Sequence, residues 1–216
     1  VVRVRAGARQ ASADQIAAEE PMEVRVNGAP FAVVMRTPGH DRDLAAGFLL
    51  AEDVIRSADE LGAIEACREA TAEARGNTLN VTVVGAAVER LAARLGERRQ
   101  VMMTASCGLC GRLTIDTLRA RVAAVDGRWT VPARVVQGLP AALRSAQRVF
   151  DTTGGLHAAG LFDREGRLVT AAEDVGRHNA LDKVVGRVLL EGRLPLDQHL
   201  LAVSGRTSFE LVQKAL

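Results

Sequence analysis

The stretch "MEVRVNGAPFAVVMR", residues 22–36, alternates apolar and polar positions around Asn27-Gly28. That dipeptide supplies the positive φ angles of a tight hairpin turn, so Met22–Val26 and Phe31–Arg36 are predicted as paired strands. "TPGHDRDLAAGFLLAEDVI" then turns and starts a helix. Asp41 or Asp43 sits near its amino end, and Leu44, Phe48 and Leu50–Ile55 supply its buried side. "NTLNVTVVG" predicts a strand with Leu79, Val81 and Val83 on one face, and "AAVERLAARLGERRQ" an amphipathic helix. The first hundred residues thus mix strands and helices without a parallel-sheet rhythm.

The second half has a different period. "RLTIDTLRARVAAV" predicts a helix with Leu118, Val122 and Val125 on one face. "VPARVVQGLPAALRSAQRVFDTTGG" predicts another, bent or divided at Pro140. "LHAAGLFDREGRLVTAAED" predicts a hairpin turning at Asp163–Gly166, "GRHNALDKVVGRVLLEG" a helix that stops at Gly192, and "QHLLAVSGRTSFELVQKAL" a buried strand, a turn and a last helix. Together these predict an α/β (α+β) protein. A small mixed strand-and-helix domain is expected over residues 1–130 and a layered domain over 131–216. The apolar face of the last helix (Phe209, Leu211, Val212, Leu216) has no following strand to complete a sheet, so the second domain is expected to be truncated at its C-terminus.

Composition narrows the classes. The 216 residues are 48% hydrophobic and 25% charged, an ordinary globular balance. A net charge of +2 lacks the basic excess of a dedicated nucleic-acid binder, so no nucleic-acid partner is expected. No apolar run approaches the roughly 20 residues that span a bilayer, and "VVRVRAGARQ" shows no secretory signal, so no membrane partner is expected. Three cysteines are an odd count that fits a reducing, cytoplasmic setting better than a disulfide scaffold. Cys67, alone in "AIEACREA", reads as a small apolar filler.

Four stretches could carry chemistry. In "SCGLCG", Gly108 and Gly111 free the backbone to lift Cys107 and Cys110 from the surface. A helix starting near Arg112 would favour the thiolate, the reactive form. Two buried thiols are the plainer alternative. Zinc would need a second ligand pair that the chain lacks, unless the fold gathers two of His40, His157, His178 and His199. Spacing alone leaves sulfur carrier, redox dithiol and metal ligand open. In "TTGGLHAAGLF", Gly154 and Gly155 allow close approach before His157, but by itself the stretch reads as a turn and a core histidine. "AAEDVGRHNALDKVVG" gathers Glu173, Asp174, Arg177, His178, Asn179, Asp182 and Lys183 at a strand-to-helix junction. It reads equally as an anion site or as a solvated helix start with charge pairs. In "LLAVSGRTSFE", a buried strand runs into Ser204, Gly205, Arg206 and Thr207 before a helix, the place where α/β proteins hold phosphate. The pattern is neither a Walker loop nor a dinucleotide fingerprint.

Taken together, "EEPMEVRVNG", "RTPGHDRDLAAGFLLAEDVI", "SCGLCG", "TGGLHAAGLF", "EDVGRHNALDKVVG" and "VSGRTSFELVQKA" resemble the formate dehydrogenase accessory sulfurtransferase family (FdhD), from Glu19 to Leu216 and in the family's order. The resemblance implies a sulfur carrier. Such proteins accept persulfide sulfur from a cysteine desulfurase and pass it to the molybdenum (or tungsten) bis(molybdopterin guanine dinucleotide) cofactor that formate dehydrogenase needs. It implies Cys107 as the persulfide carrier and Cys110 as its partner. It also implies a cytidine-deaminase-like second domain without zinc chemistry, and a homodimer; GDP is expected to serve as a surrogate ligand for the dinucleotide. Residues expected to hold the cofactor are Gly154, Gly155, His157, Arg177, His178, Ser204, Gly205, Arg206 and Thr207; no resident metal is expected. A thiol-disulfide oxidoreductase and a non-catalytic zinc or cofactor-binding module are the alternatives.

Overall fold

The computed structural model describes residues 1–67, 76–98 and 129–216. Cys107, Cys110 and the helix expected after them lie outside the described residues, next to the expected boundary at residue 130. The amino-terminal strands β1 (Val2–Arg5) and β2 (Ala8–Ala11) pair as a separate antiparallel hairpin that the residue pattern did not predict.

The first main sheet has the order β4-β3-β6-β5, from β3 (Glu20–Val26), β4 (Ala29–Arg36), β5 (Leu61–Ala66) and β6 (Thr78–Val83). Asn27 and Gly28 turn β3 into β4 with φ of 49° and 81°, as Asn-Gly predicts. The turn is pinned sideways. Asn27 Oδ1 accepts the Val83 N–H at 2.9 Å, and the Gly28 N–H donates to Asn80 Oδ1 at 2.8 Å. Strands β3 and β6 run parallel, although the residue pattern gave the first half no parallel rhythm. Met22, Val24 and Val26 are each at most 1% exposed, and Leu79, Val81 and Val83 are buried beside them. Each fully buried side chain of this size contributes about 1.5–3 kcal/mol.

Helix α1 (Asp41–Ala51) covers this sheet and ends earlier than the pattern predicted. Leu44, Leu49, Val54 and Ile55 are buried, whereas Phe48 and Leu50 are half-buried. A short helical turn (Ala58–Glu60) and α2 (Ala86–Arg98) are the other elements of the first half among the described residues. In α2, Arg90 pairs with Glu60 and Arg94 with Asp53.

The second sheet has the order β8-β7-β9, from β7 (His157–Phe162), β8 (Leu168–Asp174) and β9 (Leu200–Val203), all antiparallel. Ala158 through Phe162 are buried on both faces because the sheet is sandwiched. Leu139 and Leu143 of α3 (Ala133–Ala146) pack on Ala158 and Phe162. Ala180, Leu181, Val184 and Val188 of α5 (Arg177–Leu190) pack on Ala159 and Leu161. Pro140 does not divide its helix: α3 runs through it, and the break falls at Gln147, before α4 (Arg148–Thr153). Val136, whose carbonyl loses its partner to Pro140, is 51% exposed, so that carbonyl lies on the side where water can serve it. A last short helix, α6 (Phe209–Ala215), buries Leu211 and leaves Phe209, Val212 and Leu216 exposed.

The two halves meet where α1 crosses α5. A Cβ at Gly47 would lie 2.0 Å from the Asp182 carbonyl oxygen, and one at Gly186 would lie 1.8 Å from that of Asp43. The helices therefore touch backbone to backbone, and only glycine fits at either position. Among the described residues, no helix is long and apolar enough to cross a membrane.

Candidate functional site

The polar run from Glu173 to Lys183 divides into two groups, separated by where each side chain finds its partner. Five side chains brace the fold. The Glu173 carboxylate accepts the Val149 and Phe150 N–H groups at 2.9 and 2.8 Å, capping the open amino end of α4 from another element. Asp174 is fully buried. Its Oδ1 accepts Gly176 N–H at 2.8 Å and Asn179 Nδ2 at 2.9 Å; its Oδ2 accepts Thr37 N–H at 3.1 Å and pairs with Lys183 Nζ at 2.7 Å. Asn179 Nδ2 also donates to Met35 O at 2.7 Å, and Lys183 Nζ to Thr37 O at 2.8 Å. Asp182 takes Lys214 Nζ from α6 at 2.8 Å on both oxygens. Burial pushes the Asp182 carboxyl up from its ordinary range, and the Lys214 charge opposes that.

Arg177 and His178 remain. Arg177 Nε and His178 Nε2 are buried, at the first turn of α5, with no hydrogen-bond partner among the described residues. Leaving a buried polar atom unpaired costs about 1–3 kcal/mol. His178 is 9% exposed. Its imidazole is pushed down to about 4, chiefly by burial, then by the positive charges of Arg177 and Lys214, with Glu210 pulling the other way. The ring is therefore neutral at physiological pH, beside a permanent guanidinium cation.

The turn after β9 closes on this pair. A Cβ on Gly205 would meet Arg177 Cδ and Cβ at 3.2 and 3.3 Å and His157 Nδ1 at 3.4 Å, so Gly205 lies against both side chains. Ser204 aligns that turn: its N–H donates to Ala158 O at 2.9 Å, and its Oγ accepts Ala158 N–H at 2.8 Å. His157, Arg177, His178, Ser204 and Gly205, named from three separate stretches, are thus brought together at the ends of β7, β8 and β9. Arg206 and Thr207 continue the same turn at the surface. Gly154 and Gly155 are accounted for by α4. Gly154 ends that helix at φ 65°, and Gly155 lies open beside Ala17.

Two residues near His178 escaped the sequence pattern, Glu210 and Lys214 of α6. Their i,i+4 spacing reads as an ordinary surface pair; in the fold Lys214 reaches instead to Asp182 of α5. A guanidinium, a neutral imidazole with a spare nitrogen and a helix amino end make a place for an anionic group with further polar atoms. Among the described residues, no group of three or more His, Cys, Asp or Glu side chains could hold a metal ion. Cys67 is a half-buried free thiol whose N–H donates to Thr78 O at 2.9 Å.

Comparison with known proteins places the whole chain. The sequence profile of the FdhD/NarQ family matches residues 17–216. The Sulfur carrier protein FdhD of Streptomyces avermitilis is 50% identical over 224 residues, covering all of this chain and 77% of that protein. Its counterpart in Streptomyces coelicolor is 48% identical with the same coverage. A crystal structure from Desulfotalea psychrophila, assigned as a formate dehydrogenase accessory protein, has the same fold. Its TM-score is 0.73 at 24% identity, over all of this chain and 77% of that one. A profile match over most of its length, with relatives about half identical over the whole of this chain, establishes that the chain belongs to the FdhD/NarQ family.

Proposed function

We propose that this protein is a sulfur carrier serving formate dehydrogenase. It accepts persulfide sulfur from a cysteine desulfurase on Cys107, with Cys110 as partner thiol. It then delivers that sulfur to the molybdenum bis(molybdopterin guanine dinucleotide) cofactor as substrate, working as a cytoplasmic homodimer. Family membership and relatives named as sulfur carriers support the first part.

One observation carries the cofactor part: in a stretch where every other polar side chain is committed to the fold, Arg177 and His178 hold buried nitrogens with nothing to bond among the described residues. A phosphate of the guanine dinucleotide supplies the acceptor oxygens both lack. Arg177 offers a charged donor, neutral His178 a hydrogen bond, and the Gly205 turn admits the ligand backbone closely. His157 and Ser204 adjoin the same turn, and Arg206 and Thr207 continue it at the surface; a role for Gly154 and Gly155 in holding the cofactor rests on the family resemblance alone. A low-pKa thiolate suits the carrier step, because thiolate attack on a donor persulfide moves the outer sulfur and releases the donor thiolate.

Incubation with a cysteine desulfurase and cysteine, followed by mass spectrometry, is expected to show one added sulfur on Cys107. Loss of two hydrogens alone would favour a thiol-disulfide oxidoreductase, and stoichiometric zinc lost in Cys107→Ala a zinc module. Arg177→Ala is expected to retain the persulfide but lose affinity for GDP and fail to mature formate dehydrogenase. If Arg177→Ala binds GDP as the unaltered protein does, the site assignment is wrong.

A further inference from the structure

Thr37 belongs to the first half of the chain, between β4 and α1, yet its polar groups are turned to the junction of β8 and α5. Its N–H donates to Asp174 Oδ2 at 3.1 Å, its carbonyl accepts Lys183 Nζ at 2.8 Å, and its Oγ1 accepts the Val175 N–H at 3.1 Å. Two residues earlier, Met35 O accepts Asn179 Nδ2. The segment between is itself clamped. Arg36, 1% exposed, donates to both Asp41 oxygens at 3.1 and 3.0 Å and to Asn77 Oδ1 at 2.7 Å. Residues 174, 175, 179 and 183, on both sides of Arg177 and His178, are therefore held by a rigid strip of the other sheet.

The turn needs that support. Gly176, at the amino cap of α5, contributes no side-chain cap of its own. Its direction is set by Asp174 from within and by Thr37 from across the interface. The Thr37 hydroxyl is the single side-chain group of that strip that accepts a bond from the turn's own backbone.

We propose that Thr37 is a positioning residue of the anion site: it fixes the Val175–Gly176 turn, and through it the aim of Arg177 and His178, without touching the ligand. This rests on the reading in which Arg177 and His178 receive a phosphate of the nucleotide. If it holds, removing the Thr37 acceptor frees the Val175 N–H, lets the turn rotate, and changes both ligand affinity and the surroundings of the His178 ring.

The test uses the full chain with Thr37→Val, which keeps shape and loses the acceptor, and Thr37→Ser, which keeps the acceptor. Two quantities are read: GDP affinity by calorimetry and the His178 titration midpoint by NMR. Thr37→Val is expected to weaken GDP binding about tenfold and Thr37→Ser by less than about twofold. The His178 midpoint is expected to rise in Thr37→Val and to stay near 4 in Thr37→Ser. Equal losses in both variants, or an unchanged midpoint in Thr37→Val, overturn the proposal. Should the unaltered protein not bind GDP, the phosphate reading fails, and the midpoint alone decides whether Thr37 orients the turn. Should Thr37→Val not fold, Thr37→Ala replaces it, since it also lacks the acceptor.

Discussion

Lys183 Nζ lies 2.7 Å from Asp174 Oδ2, and neither side chain is more than 2% exposed. Such a pair is costly to break from one side, because the remaining charge stays buried without its partner. Lys183→Met is therefore expected to destabilise the protein by about 3–5 kcal/mol, read as a lowered urea midpoint. Adding Asp174→Asn to Lys183→Met should recover part of that loss, since the orphaned charge is then gone. A single variant as stable as the parent would mean that the pair contributes nothing.

His178 gives a pH signature. Its folded-state value is lowered from 6.5 to about 4, so between those two pH values the unfolded chain binds a proton that the folded one refuses. Stability from this residue is present above pH 6.5, falls as the pH drops through the window, and is constant below about 4. Thermal melts of the parent and of His178→Gln, compared across that range, should diverge: the variant's curve is flatter, and an identical slope in both excludes the residue as the cause.

The glycines of the helix crossing predict a sharp contrast. At Gly186, an added methyl would sit 1.8 Å from a backbone oxygen, so Gly186→Ala is expected to cost more than about 3 kcal/mol or to leave the protein insoluble. At Gly138, exposed inside α3 with nothing within 4 Å of the Cβ position, alanine is expected to stabilise by about 0.5–1 kcal/mol. Paired denaturation curves check both.

Glu173 caps a helix to which it does not belong. Glu173→Ala removes the acceptor for two N–H groups of α4 and is expected to cost about 1 kcal/mol. Hydrogen exchange should quicken at Val149 and Phe150 while the β7 amides stay protected. Unchanged exchange at those two amides would count against the cap.

What the residue pattern could reveal follows the range of the forces involved. The Asn27-Gly28 turn, the alternation in β3 and β6, and the hairpin at Asp163–Gly166 were readable because a turn and a period of two are local properties. The parallel pairing of β3 with β6 was not, since it depends on the path through α1 and β5. Pro140 misled because its cost depends on which side of the helix faces water. Within the site, residue type and position were enough to single out Arg177 and Ser204-Gly205 as candidates, and the fold brings them side by side. The bracing roles of Asp174, Asn179, Asp182 and Lys183 were not readable. Charges at helical spacing look solvated until α1 and the second sheet are seen to bury α5 between them.

The bare crossing of α1 and α5 constrains how this molecule works. With main chain resting on main chain, there is no cushion of side chains to repack, so neither helix can slip along the other without collision. Any relative motion of the two halves would have to part this contact as a whole rather than ease it by exchanging rotamers.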